Sequence, residues 1–292
     1  MKTFLYHDPK TIAEALELLH YYGADASPLA GGTDLLLDFK NRKEPPKHII
    51  SLMGIEDLQV IRDKDNLQIG TTATLSKIEK SHLIKSKWKM LAEGASVIGS
   101  RQIRNQATIG GNICNALPCA DTAPPLYAAC AGVVIANHTN GQRVISIDHL
   151  VKGPRRTVLV EDELVIGFTV PYPPINTGSV YLKHTIRNAL DMSIVSIAVS
   201  ITLNPDDECI RTARIAPGNS APVVYRAVEA ETALMGERLS VKLMKEVAEL
   251  VVKSSTVRDS PLRATAGYRK EVLRVLTERA LKIALHRAME LV

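Results

Sequence analysis

Two pairs of adjacent glycines interrupt apolar stretches of this chain, and they constrain its fold more than any other sequence feature. The first pair lies in Ala30-Gly31-Gly32-Thr33-Asp34, and the second lies in Thr108-Ile109-Gly110-Gly111-Asn112. Glycine has no Cβ, so a glycine pair lets the backbone turn sharply and bring its own N–H groups against a ligand. Two such loops could hold one pyrophosphate between them.

The first glycine pair lies between a segment typical of a strand and one typical of a helix. Residues 27–30 predict a short buried strand, and residues 33–37 predict a helix start capped by a hydroxyl or a carboxylate. A strand-to-helix turn of this kind is a natural anion site. Neither loop has the spacing of the Rossmann fingerprint or of the P-loop, and an ordinary tight turn is the alternative for each loop taken singly.

Length and composition indicate a globular protein without a membrane span and disfavour nucleic-acid binding. The chain has 292 residues, of which 46% are hydrophobic and 23% charged, enough for about two domains. A net charge of +5 is mild, and 4% aromatic residues give few stacking platforms for bases. No stretch approaches the length of a membrane span, and the first residues lack the apolar region of a signal peptide. The expected compartment is the cytoplasm.

The four cysteines do not predict a disulfide framework in a chain of this length. Cys114 and Cys119 have a C-x4-C spacing that matches one part of a plant-type iron–sulfur pattern, but the C-x2-C step that should follow is missing. We therefore expect the cysteines to be small buried packing residues, with metal ligation as the alternative.

Several ordered segments resemble one known family. The family's A-G-G-[TS]-D-L segment matches residues 30–35, and its Q-[IL]-R-N-x-[AG]-T-x-G-G-N segment matches residues 102–112, with Asp121 downstream. The likeness continues through Tyr181-Leu182-Lys183, Arg187-Asn188-Ala189-Leu190-Asp191 and Tyr268-Arg269. On these motifs, which span nearly the whole chain, the sequence is similar to the FAD-binding subunits of the molybdenum hydroxylases, a family that includes xanthine and carbon monoxide dehydrogenases.

The resemblance implies an α+β fold, with a two-subdomain FAD-binding domain of the PCMH type followed by a small antiparallel sheet packed with helices. The sequence places the boundary near residue 175, because three prolines within residues 171–174 cannot continue a strand ladder. We expect the FAD-binding domain over residues 1–174, with a subdomain boundary near residue 55, and the C-terminal domain over residues 175–292.

Local patterns predict the main elements. Thr11-x-x-Glu14 is a capping box that opens a helix ending at Gly23. Further predicted elements are a hairpin of residues 132–137 and 143–147, strands over 163–170, 179–187, 193–203 and 209–216, and a last helix over 268–291 with an apolar stripe of Val272, Leu276, Ala280 and Ile283.

The resemblance also implies which residues bind FAD. The two glycine loops would hold the diphosphate and ribityl region, Asn115 and Asp121 would bond hydroxyls, Ile98 and Val165 would make apolar contacts, and Lys183 would stand near the cofactor as a fixed cation. The full expected set is Pro28, Leu29, Ala30, Gly31, Gly32, Thr33, Asp34, Leu35, Ile98, Thr108, Ile109, Gly110, Gly111, Asn112, Asn115, Asp121, Val165 and Lys183. Without the resemblance, Asp121 would be a helix cap and Lys183 a solvated strand residue.

Three further features concern the surroundings of that site. Relatives often have Arg where Asn188 stands, and many have Thr or Ser at the position of Asn115. Arg155-Arg156 forms a basic loop that is either a plain surface turn or a contact for an anionic acceptor. No residue is assigned to acid–base catalysis or to a metal.

The implied function is that of an electron-transfer flavoprotein subunit. A large molybdenum-cofactor subunit would oxidise the substrate, a small [2Fe-2S] subunit would pass single electrons, and this chain's FAD would deliver them to NAD, a quinone or oxygen. The expected assembly is a dimer of heterotrimers. Two alternatives stay open at this stage: a self-contained flavin oxidase, and a nucleotide-binding regulatory module without redox activity.

Overall fold

The structure is a computed structural model that describes residues 3–41, 45–261 and 263–290. In chain order the strands are β1 (Leu5–His7), β2 (Ala26–Leu29), β3 (His48–Ser51), β4 (Ile61–Asp63), β5 (Leu67–Gly70), β6 (Gly132–Asn137), β7 (Gly141–Ser146), β8 (Val151–Gly153), β9 (Arg156–Thr157), β10 (Glu163–Val170), β11 (Thr177–His184), β12 (Val195–Leu203) and β13 (Ile210–Gly218). The helices are α1 (Ile12–Tyr22), α2 (Leu35–Lys40), α3 (Leu75–Lys80), α4 (His82–Lys87), α5 (Lys89–Ser96), α6 (Arg101–Gln106), α7 (Ile109–Cys114), α8 (Ala123–Ala128), α9 (Val228–Leu234), α10 (Val241–Ser254) and α11 (Ala266–Met289). Within the described ranges, no helix combines the length and the apolar character needed to cross a membrane.

The α+β class predicted from the sequence is confirmed, and so are most of the predicted elements. The hairpin is formed by β6 and β7, and the three predicted C-terminal strands are β11, β12 and β13. The four residues of the stripe predicted for the last helix pack in or against the core of the second unit, with Leu276 and Ala280 buried and Val272 and Ile283 half-buried. The buried face of α11 also includes Leu273, Thr277 and Ala284.

The described chain divides into two compact units whose segments alternate along the sequence. The first unit contains the residues up to Ile78 together with Arg101–Ala116 and Ala131–Pro171. The second unit contains Glu79–Ser100, Leu117–Cys130 and the residues from Tyr172 onward. The domain boundaries near residues 55 and 175 remain predictions.

The first unit contains a parallel and an antiparallel sheet. The three-stranded sheet has the order β1-β3-β2, and both edge strands run parallel to β3. The five-stranded antiparallel sheet has the order β4-β5-β10-β6-β7. A separate two-stranded ribbon is formed by β8 and β9.

Helix α1 provides much of the first unit's core. The Thr11 hydroxyl accepts from the Glu14 N–H at 3.2 Å, and Gly23 ends the helix in the left-handed region, as the capping pattern predicted. Leu16 and Leu19 of α1 pack in one cluster with side chains from both sheets, among them Ile50 and Leu164. Full burial of a leucine side chain contributes about 2 kcal/mol, so this helix joins the two sheets of the unit.

The second unit is built on the antiparallel sheet β11-β12-β13, and β12 is buried on both faces. Side chains alternate across a strand, so the two faces of β12 have different compositions. The bulky positions Val195, Ile197, Val199, Ile201 and Leu203 belong to the core cluster formed with α9, α10 and α11. The small positions between them lie on the face where α8 packs, and the Ser200 hydroxyl there donates to the Ala128 carbonyl at 3.5 Å.

The cysteines fit the packing expectation only in part. Burial raises the pKa of the Cys114 thiol to about 12, which is typical of a packing residue. Cys130 is exposed, so the expectation was wrong there. Among the described residues, no group of three or more His, Cys, Asp or Glu side chains is arranged to hold a metal ion.

Candidate functional site

The first glycine loop connects β2 to α2 in the first unit and has unused backbone donors. Gly32 has φ +70°, the left-handed conformation that glycine adopts without strain, and Asp34 is the N-cap residue of α2. Among the described residues, the N–H groups of Gly31, Gly32, Thr33 and Asp34 donate to no protein acceptor. Successive free N–H groups in such a turn form a concave anion-binding surface.

The expected second glycine loop is instead the start of α7, and its backbone donors are already used. The Thr108 hydroxyl caps α7 by accepting from the Gly111 N–H at 3.1 Å, and the Gly110 N–H donates to the Thr71 carbonyl at 2.8 Å. A Cβ on Gly110 would lie 1.8 Å from Thr71 Oγ1. Gly110 therefore permits close packing, while its neighbour Gly111 would meet only Thr108 Oγ1 within 4 Å, at 3.1 Å.

The two loops contact each other within the first unit. A Cβ on Gly31 would lie 1.9 Å from the Gln106 carbonyl oxygen, so the first loop packs directly against the segment that precedes Thr108. The Asn115 side chain, at the C-cap of α7, forms a hydrogen bond with Asp34. Burial raises the pKa of Asp34, and this hydrogen bond acts in the opposite direction.

Asp121 and Lys183 form a buried ion pair in the second unit, with each side chain 6% exposed. Lys183 Nζ donates to Asp121 Oδ2 at 2.8 Å and also to the carbonyls of Asp191 and Val97, at 2.9 and 3.2 Å. The Tyr181 hydroxyl donates to Asp121 Oδ1 at 2.6 Å. Burial raises the pKa of Asp121, while Lys183 and Tyr181 oppose that rise, and burial also raises the pKa of Tyr181.

The ion pair gives Lys183 and Asp121 a different chemical setting from the one expected. The family resemblance implies a cation at Lys183 and a hydrogen-bonding carboxylate at Asp121, each directed at the cofactor. The structure directs the two charges at each other, so the pair is electrically neutral as a unit. Their roles toward FAD stay predictions.

The other expected apolar contacts lie at different depths. Val165 is buried in β10, next to a register irregularity between Val165 and Gly167. Ile98 is half-buried in the second unit, beyond the end of α5. In the first unit, Leu29 is half-buried and Pro28 is exposed, both in β2. Their contacts with FAD stay predictions.

Sequence reasoning missed three residues that shape the site. Asp38 lies one helical turn after Asp34, and the i,i+4 spacing could have shown that both carboxylates share a helix face. Tyr181 stood in the quoted motif without a role. Thr71 had no sequence signal, because only the fold brings its carbonyl to Gly110.

The donors present fit a flavin dinucleotide. A diphosphate needs several N–H donors that no side chain blocks, and the first loop supplies them. Next to the second loop lies the segment around Thr71, whose carbonyl accepts from the Gly110 N–H. In that segment, the buried Thr72 hydroxyl has no hydrogen-bond partner among the described residues. This fold and this site define a nucleotide-binding α+β protein of the flavoprotein class.

Comparison with known proteins identifies the family. Residues 2–173 match the FAD binding domain in molybdopterin dehydrogenase, and residues 180–284 match the CO dehydrogenase flavoprotein C-terminal domain. The chain belongs to this family, so its cofactor is FAD and it is an oxidoreductase subunit. The resemblance inferred from the sequence is confirmed.

Individual relatives match over almost their whole length. The xanthine dehydrogenase FAD-binding subunit of Escherichia coli O157:H7 is 29% identical over 96% of this chain and 95% of the relative. The carbon monoxide dehydrogenase medium chain of Afipia carboxidovorans is 32% identical over 98% of each chain. A solved structure of carbon monoxide dehydrogenase from Hydrogenophaga pseudoflava, which lacks the Mo-pyranopterin moiety, superposes with a TM-score of 0.92 at 31% identity over 98% of each chain. These relatives support neither the oxidase nor the regulatory alternative.

Proposed function

We propose that this chain is the FAD-carrying electron-transfer subunit of a molybdenum hydroxylase complex. The observation that carries the proposal is the row of free N–H groups at Gly31 to Asp34, in a domain whose family binds FAD. FAD supplies the ability to exchange electrons singly or in pairs. The chain itself supplies binding, orientation and electrostatic surroundings.

The partners follow from the same family. The chain works with a molybdenum-cofactor large subunit and a [2Fe-2S] small subunit, and dehydrogenase medium chains are among its relatives. We propose a dimer of heterotrimers. The substrate is oxidised on another chain, so the residues of this chain do not select it.

Within the chain, each loop has a separate part in holding FAD. The first loop donates its N–H groups to the diphosphate. The second loop supports it through the contact of Gly31 with the Gln106 carbonyl and leaves room for the cofactor beside Gly111. Asn115 and Asp121 are proposed to accept from ribityl or ribose hydroxyls. The buried Lys183–Asp121 pair forms a fixed dipole in the second unit.

We further propose that the complex works in the cytoplasm. The supporting observation is that all four cysteines are free thiols, as a reducing compartment keeps them.

The test compares the lone chain with the assembled complex. The purified chain should be yellow, with one FAD and no iron or molybdenum, and no substrate should bleach it. After co-expression with the two partner subunits encoded beside it, an anaerobic substrate titration should bleach the flavin. Bleaching of the lone chain by substrate, or a failure to associate with the partners, would refute the electron-transfer function.

A further inference from the structure

Arg155 connects α2, which follows the first glycine pair, with the C-cap of α7, the helix that contains the second pair. Its Nη1 donates to Asp38 Oδ2 of α2 at 2.8 Å, and its Nη2 lies 3.5 Å from Oδ1 of the same carboxylate. Nη1 also lies 3.4 Å from Asn115 Oδ1 at the C-cap of α7. The 2.8 Å contact is a charge-assisted hydrogen bond, and the two longer contacts orient the guanidinium. One side chain thus contacts both the helix after the first glycine pair and the end of the helix that contains the second pair.

The backbone at Arg155 is shaped for this contact. Arg155 lies in the turn between β8 and β9 with φ +57°, a conformation that L residues other than Gly, Asn and Asp seldom adopt. Its N–H donates to the Ala116 carbonyl at 2.9 Å, and Ala116 itself has φ +50°. Two left-handed residues therefore fix the ribbon to the end of α7. Such a conformation persists only where the surrounding contacts hold it.

Arg155 also balances the charge beside the first loop. Asp34 and Asp38 place two carboxylates next to the N–H groups that would meet a diphosphate, which carries two negative charges. Burial raises the pKa of Asp34 and the Asp38 charge adds to that rise, while Arg155 acts to lower it. Without the guanidinium, two carboxylates would oppose the approach of an anion.

We propose that Arg155 is a positioning residue for FAD, which holds the two glycine loops together and compensates the Asp34 and Asp38 charges. The proposal deepens the proposed function and rests on it, because it needs FAD as the ligand. The sequence suggested either a plain surface turn or a contact for an anionic acceptor at Arg155-Arg156, and neither interpretation included this role. Arg155 need not touch the cofactor, since it acts through Asp38 and Asn115.

The neighbouring Arg156 provides a matched control. It is an exposed arginine on the same ribbon, and no contact of its side chain is seen within the described residues. The experiment measures the FAD dissociation constant of the full-length apoprotein by flavin fluorescence titration. We expect R155Q to weaken FAD binding about tenfold, because it removes the charge-assisted bond to Asp38 and the positive charge beside the first loop, and R156Q to stay within about twofold of wild type.

The double variant R155Q/D38N separates charge compensation from structural support. It lacks the guanidinium contact as R155Q does, but the Asp38 charge that Arg155 faces is also removed. We expect it to recover part of the lost FAD affinity, and a purely structural tie predicts no recovery. ADP, which carries only the adenosine diphosphate part of FAD, serves as a competitor. Its affinities for the variants should fall in the same order as those of FAD.

The outcomes separate the two proposals. A wild-type apoprotein that fails to bind FAD contradicts the proposed function. Wild-type binding with equal dissociation constants for R155Q and R156Q, or no recovery in R155Q/D38N, overturns the Arg155 inference alone. If R155Q does not fold, R155K replaces it in the experiment, because lysine keeps the positive charge but lacks the planar, two-pronged guanidinium. It should then bind FAD about threefold more weakly than wild type at an unchanged apoprotein melting temperature, and unchanged binding overturns the inference.

Discussion

At the scale of the residue, the glycines of the two loops differ in what surrounds them. Gly31 and Gly110 have no space for a Cβ, because Gln106 and Thr71 lie less than 2 Å from its ideal position. A Cβ on Gly111 would meet only the Thr108 hydroxyl within 4 Å among the described residues outside its own helix backbone. Of the two adjacent glycines in this motif, Gly110 is therefore needed for close packing, while Gly111 leaves open space beside the helix.

This difference predicts opposite behaviour for neighbouring substitutions. Gly110→Ala should destabilise the apoprotein by about 1–3 kcal/mol, because the added methyl group overlaps Thr71. Gly111→Val should leave the circular dichroism spectrum unchanged and abolish FAD retention, because its branched side chain projects where the cofactor is expected. Flavin absorbance per protein after gel filtration is the measurement. A full flavin complement in Gly111→Val would contradict the role given to this loop.

Lys183 and Asp121 permit a second prediction at this scale. Lys183→Met leaves the Asp121 carboxylate buried without its cation, which should cost about 3–5 kcal/mol at neutral pH. The pKa of Asp121 then rises further in the folded state, so stability is retained at low pH and is lost as pH rises through that folded pKa. Urea unfolding at about pH 5 and about pH 8 should show the larger loss at pH 8.

Controls for this variant address both the ion pair and the cofactor. The double variant K183M/D121N should recover most of the stability, because the uncompensated charge is removed. Flavin potentiometry of K183M tests whether the Lys183 charge reaches the cofactor, and a lower midpoint potential is expected from the family resemblance. An equal loss of stability at both pH values would show that Asp121 is not the cause.

At the scale of the element, the second unit depends on a close approach of α11 to its sheet. A Cβ on Gly178 of β11 would lie 2.0 Å from the Ala284 carbonyl oxygen of α11. On the other face, the small residues of β12 let α8 approach the sheet. Small side chains at these positions set how near the helices lie, and the helices in turn bury the strand completely.

Gly178→Ala should therefore lower the melting temperature, because the methyl group must push α11 away from the sheet. The cost should be about 1–3 kcal/mol, as for other overpacked positions. Gly267→Ala is the control on α11 itself, since none of the described residues comes within 4 Å of its ideal Cβ. That variant should stabilise the protein by about 0.5–1 kcal/mol through helix propensity. Equal melting temperatures would contradict the close packing.

At the scale of the whole molecule, the chain does not divide at one point in sequence. The second unit includes Glu79–Ser100 and Leu117–Cys130, which precede the proline-rich segment by many residues. Helices α5 and α8 lie in these segments and pack on β11, β12 and β13. The sheet of the C-terminal region is thus covered on one face by earlier parts of the chain.

This arrangement predicts the behaviour of a fragment. Residues 175–292 expressed alone would lack α5 and α8 and would leave one sheet face uncovered, so the fragment should bind a hydrophobic dye and show poorly dispersed NMR signals. The full chain is the control under the same conditions. A well-dispersed, cooperatively unfolding fragment would support the boundary near residue 175 as an independent folding limit.

From the sequence alone, the resemblance of several motifs to one family indicated the cofactor and the α+β fold, and local patterns predicted most elements. The elements follow from local causes: a capping box, alternation along strands and prolines that end them. The tertiary structure alone decided which N–H groups are free, which glycine faces a neighbour, and that Lys183 and Asp121 neutralise each other. It also decided that Arg155 reaches Asp38, 117 positions away in sequence. Such pairings depend on contacts between distant segments, and no local pattern specifies them.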